Sequence, residues 1–146
     1  MTVGERADGG RQVLFVFTTT CPYCRASIPA WKRIAAAADS MAPPLSAVAY
    51  GVVLDSSDAA ARQYVAAHAL TYPVLRFPSR KLGAMYRTRN VPATLVLDAE
   101  GRVLYAKMGV LTDPAAVDSV LFALHWQEPA PTPQSGAVAA QRRPSR

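Results

Sequence analysis

The sequence predicts an α/β fold with a mixed central β-sheet flanked by helices on both faces. Three observations predict it. Short apolar runs of strand length alternate with amphipathic helical stretches through the front of the chain, which requires parallel strands joined by helical crossovers. Further on, the turn Asp98-Ala99-Glu100-Gly101 separates two strand-like runs, which requires an antiparallel hairpin. Finally, 51% hydrophobic against 18% charged residues in a chain of 146 can bury one core without disulfide staples.

The elements follow in order. Val13–Phe17 is short, apolar and rich in β-branched and aromatic residues, the pattern of a buried strand. Thr18-Thr19-Thr20 is a loop, and Cys21 opens a helical stretch in which Pro22 takes an early position that tolerates a missing N–H. Ile28, Trp31, Ile34 and Ala35 recur at helical spacing, so one face of 22–38 is buried, and Pro29 is expected to kink that helix. Ala42-Pro43-Pro44 connects to a second buried strand over Leu45–Leu54. Asp55-Ser56-Ser57-Asp58 supplies N-cap chemistry for a helix over about 58–69. Thr71-Tyr72-Pro73 leads into a short extended piece at Val74–Phe77, and Ser79 caps a short helix through Tyr86. Val91–Leu97 is a strand that begins with proline, where proline does least harm, and Arg102–Met108 is its hairpin partner. Asp113-Pro114 starts a last helix with Val117, Val120, Leu121 and Leu124 on one stripe. The boundaries are a flexible N-terminal segment at 1–10, one folded domain at 11–126 and a disordered Pro/Ala/Arg tail at 127–146.

Composition removes several function classes. The formal charge is +6, but three arginines and one acid lie after residue 126, leaving 13 bases against 9 acids in the folded part. An excess of that size gives no reason to expect nucleic acid as a partner. No apolar run approaches the roughly 18 residues of a membrane span. Met1–Gly10 carries two acids and three glycines and lacks the apolar core of a signal peptide. The chain as written is therefore expected to be cytosolic, or cut from an exported or anchored precursor. Arg76, Arg80, Lys81, Arg87 and Arg89 form a stretch without acids, which reads as a solvated face or as a docking surface for an acidic partner.

The chemistry is expected at the cysteines. There are two, Cys21 and Cys24, too few for a disulfide framework and without the second ligand pair of a structural zinc site. His68 and His125 stand alone, so no metal is expected. Cys21 lies at a helix N-terminus, where unpaired N–H groups and the helix dipole stabilise an anion, and the thiolate is the reactive form of cysteine. Cys24 is one turn further in on the same face and should be more buried. This asymmetry suits a two-step exchange, with Cys21 as nucleophile and Cys24 resolving the mixed disulfide. The plain alternative is two buried cysteines packed as small hydrophobes, and the polar threonines and intervening proline argue against it.

The run Phe17-Thr18-Thr19-Thr20-Cys21-Pro22-Tyr23-Cys24-Arg25-Ala26-Ser27-Ile28-Pro29 resembles the active-site segment of bacterial thioredoxin-like proteins, in the subgroup of TlpA, ResA and the cytochrome c maturation reductants. Tyr72-Pro73-Val74-Leu75 resembles that subgroup's Pro-containing strand, and Val91-Pro92-Ala93-Thr94 its cis-proline segment. Leu97–Val103 followed by Gly109 resembles its terminal hairpin. Pro92 lies 68 positions after Cys24, room for a strand–helix insertion that plain thioredoxins and glutaredoxins lack. The resemblance, over residues 11–126, implies a thioredoxin fold, a cis Pro92 facing the cysteines and a Val91 backbone that pairs with the substrate's extended chain. It also implies an extracytoplasmic location, and client proteins reduced by a monomer that is recharged by an upstream electron donor. Pro22 and Tyr23 are placed to touch substrates, and no cofactor is expected beyond a redox-active Cys21–Cys24 disulfide.

There are departures from the family pattern. Phe15 stands where thioredoxins place a buried acid, Thr20 replaces the usual tryptophan, and Ser27 stands where ResA-like members have an acid. The site thus lacks the expected carboxylates for proton transfer. Cys-Pro-Tyr-Cys is also typical of glutaredoxins, but the long insertion and the absence of a glutathione-carboxylate motif after Thr94 argue against them. Thr18-x-x-Cys21 echoes peroxiredoxins, whose upstream proline is here Leu14. A thioredoxin-fold binding module with little turnover is the remaining alternative.

Overall fold

A computed structural model of the chain describes residues 10–42, 45–54, 57–76 and 91–127. The apolar run near the start forms the central strand, β1 (Arg11–Phe17), and every residue from Gln12 to Phe17 is buried. Apolar residues on both faces of one strand demand cover on both sides, and neighbours on both edges. β2 (Ala47–Val53) lies parallel to β1 on one side, with Val13 opposite Ala49 and Phe17 opposite Val53. β4 (Ala93–Leu97) lies antiparallel on the other, with Phe15 opposite Thr94 and Val16 opposite Ala93. β3 (Val74–Arg76) extends the parallel side and β5 (Val103–Met108) the antiparallel side, giving the five-stranded order β3-β2-β1-β4-β5. This is the α/β thioredoxin fold, with a mixed sheet as the alternation and the hairpin predict.

Three helices complete the described residues: α1 (Pro22–Asp39), α2 (Asp58–Ala67) and α3 (Pro114–His125). Strand periodicity divides the core in two. Val13, Phe15 and Phe17 face the buried side chains of α1, α2 and α3, whereas Leu14 and Val16 join Tyr50, Val52, Ala93, Leu95 and Leu97 on the opposite face. The caps follow the sequence. Ser57 Oγ accepts from the Ala60 N–H at 3.1 Å, and Asp113 accepts from the Ala115 N–H at 3.3 Å ahead of Pro114. At the far end of α3, the Arg11 guanidinium donates to the carbonyls of Ala123 and Leu124 at 2.9 and 3.1 Å, tying the last helical turn to the start of β1.

Several boundaries differ from the sequence reading, each for a local reason. β2 begins at Ala47 and ends at Val53, inside the expected 45–54. β4 begins at Ala93, after Pro92 rather than with it, since proline has no N–H to give the ladder. Arg102 belongs to the turn, because Asp98 accepts from its backbone N–H at 2.8 Å. α1 runs uninterrupted through Pro29, which lies on its exposed side where water can serve the carbonyl that lost its donor. Trp31 is a core residue as its helical spacing predicts, and Tyr64 is buried with it, whereas Trp126 follows the end of α3 and stays 40% exposed. Phe77, the helix expected from Ser79 to Tyr86, most of the basic stretch and most of both terminal segments lie outside the described residues; Gly10 is buried and Arg76 exposed.

Gly51 shows how tightly the strands meet. A Cβ at this position would come within 3.1 Å of Phe17, 3.2 Å of Val74 and 3.3 Å of Tyr72, so those side chains would have to give by a few tenths of an ångström to admit it.

Candidate active site

The end of β1 delivers the chain to the site. After Phe17 it passes through Thr18–Thr20 to Cys21, which is the N-cap of α1 with extended backbone at φ −89° and ψ 115°. Proline follows at once, where its missing N–H costs the helix nothing. The Cys21 sulfur takes the part that a serine oxygen takes in most caps. It accepts the Cys24 N–H at 3.1 Å, while the Cys21 carbonyl receives the Arg25 N–H at 3.2 Å and starts the helical ladder. Both cysteines are present as thiols.

Their environments differ sharply. Cys21 is half-buried, Pro22 is exposed and Tyr23 is 65% exposed, whereas Cys24 is completely buried within the cluster beneath α1. One thiol faces outward with an N–H on its sulfur, and the other waits in the interior.

The Val91–Pro92 peptide bond is cis. Because Val16 pairs with Ala93 in antiparallel register, Pro92 falls at the end of the sheet from which β1 leaves for Cys21. Pro92 is buried, and Val91, like Cys21, borders the cluster that contains Cys24. The predicted site residues thus come from two elements, the start of α1 and the start of β4.

Below them the interior is aromatic. Phe15 stacks on Trp31 with centroids 5.2 Å apart and meets Tyr72 edge-on at 4.8 Å, while Phe17 stacks on Tyr64 at 5.2 Å. Hydrocarbon therefore fills the position where thioredoxins carry a buried acid. Burial, reinforced by nearby Tyr64, pushes the Tyr72 hydroxyl well above the usual tyrosine range and keeps it neutral. Trp31 Nε1 donates to Thr94 Oγ1 at 2.9 Å, a fully buried bond from α1 to β4. Among the described residues no three His, Cys, Asp or Glu side chains gather to hold a metal ion, and no helix is long and apolar enough to cross a membrane.

Set against known families, the Redoxin model matches residues 1–121. The chain belongs to the Redoxin family. Among solved structures, it is similar to StoA from Bacillus subtilis, at 20% identity and TM-score 0.62 over 82% of this chain and 84% of that one. It is similar also to the pneumococcal exposed lipoprotein thioredoxin of Streptococcus pneumoniae, at 26% identity and TM-score 0.64 over 80% and 84%. A third relative is a secreted Mycobacterium tuberculosis disulfide oxidoreductase, at 20% identity and TM-score 0.58 over 91% and 82%. No curated protein matches the sequence significantly. This Redoxin-family chain shares its fold with these solved structures.

Some residues that shape the site do not stand out in the sequence. Ser27, legible there only as a missing acid, is completely buried with its hydroxyl engaged on both sides. A signal was present, since Ser27, Trp31, Ile34 and Ala38 share one helix face at spacings of four, three and four. The Trp31–Thr94 bond had no such signal, because it joins positions 63 apart.

Proposed function

We propose that the protein reduces disulfides in client proteins through its Cys21-Pro22-Tyr23-Cys24 dithiol. The observation that carries this reading is the unequal setting of the two thiols, Cys21 half-buried and capped by a helix N–H at 3.1 Å, Cys24 fully buried one turn behind it. The Cys21 thiolate attacks one sulfur of the client disulfide, the S–S bond breaks, and the departing client sulfur leaves as a thiolate that takes up a proton. Cys24 then gives up its proton and attacks the Cys21 sulfur, which expels the second client thiolate. The client gains two electrons, and the protein is left with a Cys21–Cys24 disulfide. An upstream dithiol donor restores it by the same exchange in reverse.

No cofactor takes part, because the cysteine pair is itself the redox group. Pro22 and the exposed Tyr23 touch the client beside Cys21, and the Val91 backbone ahead of Pro92 pairs with the client's extended chain. With Phe15 and Ser27 in place of acids, proton transfer falls to solvent and the departing thiolate. The protein acts as a monomer outside the cytoplasm, a location supported by relatives described as an exposed lipoprotein and a secreted oxidoreductase.

The test is Cys24→Ser. Without a resolving thiol, reaction with a disulfide-bonded protein should stop at a mixed disulfide, seen as a reducible adduct on a non-reducing gel, and Cys21→Ser should form none. A Cys24→Ser variant that retains partners only non-covalently would favour a binding module and sink the redox reading.

A further inference from the structure

The segment Gly109-Val110-Leu111, between β5 and α3, is bonded to both halves of the site. Its Gly109 N–H donates to the Pro92 carbonyl at 2.8 Å. Two residues on, the Leu111 N–H donates to Ser27 Oγ at 2.9 Å, and that hydroxyl donates in turn to the carbonyl of Tyr23, between the cysteines, at 3.0 Å. Ser27 and Leu111 are both completely buried, so water does not compete for the bond between them. Gly109 has φ +89°, a left-handed conformation that other residues adopt only at a cost, and that turn sets its N–H and the Leu111 N–H on their two partners.

We infer that Ser27 is a positioning residue: through Leu111 and Gly109 it fixes the Cys21–Cys24 turn of α1 relative to the Val91–Pro92 segment. The brace gives the site a set distance between the attacking sulfur and the backbone that aligns an extended client. This deepens the reading above and rests on it. A substrate that uses both halves of the site depends on the brace, whereas a small disulfide that meets only Cys21 does not.

The experiment compares two disulfides for each variant, a disulfide-bonded peptide and a small aromatic disulfide reagent, with Tm recorded alongside. In Ser27→Ala the rate with the peptide should fall about tenfold, a fraction of what a displacement of about 1 Å can cost. The rate with the small reagent should stay within about twofold of wild type on the same argument. Ser27→Thr, which keeps the hydroxyl, should restore the peptide rate. Gly109→Ala perturbs the other end of the brace without touching the helix and should give the same selective loss, so the idea can be judged even if one variant does not fold. Equal losses on both disulfides, or no loss on either, would overturn the inference. Failure of the parent reading looks different: the wild-type protein itself would react with the small reagent but leave the peptide disulfide unreduced.

Discussion

Thr94 is a polar residue in the middle of an apolar strand, completely buried, and its position is explained by one partner. Its hydroxyl takes the indole N–H of Trp31, a side chain too large to leave the core and too polar at one atom to enter it alone. Replacing Thr94 with Val keeps the shape and removes the acceptor, leaving a buried N–H unsatisfied. The expected loss is about 1–3 kcal/mol in urea unfolding, with little change in the slope of the transition. Legibility at this scale follows sequence distance. Cys21, Pro22 and Cys24 announce themselves because helix-start chemistry is local, confined to a few consecutive positions. Ser27 and Thr94 do not, because each is defined by a partner far along the chain, at Leu111 and Trp31. Phe15 was legible as a departure from the family, but the aromatic stack that fills the acid's place depends on Tyr72 arriving from beyond α2.

The hairpin shows how an element is held by one side chain. Asp98 accepts from the backbone N–H groups of Glu100 and Arg102 at 3.0 and 2.8 Å and from the Arg102 guanidinium at 2.8 Å. Partial burial opposes its ionisation, but these donors outweigh that effect and hold its carboxyl below the usual aspartate range. A depressed value in the folded state means that the stabilisation is present above the unfolded value of ~3.9 and is lost as pH falls through the folded one. Asp98→Asn should therefore lower stability by roughly 1 kcal/mol near neutral pH, and the gap from wild type should close as unfolding is followed toward pH 3. Periodicity gives the type of each element in the described residues, while the ends lie a residue or two from where it puts them. The ends moved where a particular bond decided them, as Asp98 did for Arg102 and as the missing N–H of Pro92 did for β4.

Across the whole molecule, stability should be graded from the centre of the sheet outward. β1 is paired on both edges and buried from Gln12 to Phe17, whereas β5 is an edge strand with Val103, Leu104 and Met108 exposed. Native-state hydrogen exchange is expected to show amides from Val13 to Val16 opening only with global unfolding and those along the outer side of β5 exchanging much faster. Comparable protection in the two strands would mean that β5 is covered by something else in solution. The position of β1 also bears on how the protein is made. A chain grows from its N-terminus, and Cys24 is synthesised 69 positions before Ala93, the first residue of the strand that closes β1 on its antiparallel side. Leu111 and the buried residues of α3, which share the cluster around Cys24, come later still. A newborn chain therefore exposes Cys24 as well as Cys21, and the burial that separates the two thiols is complete only when the C-terminal half of the domain has been made.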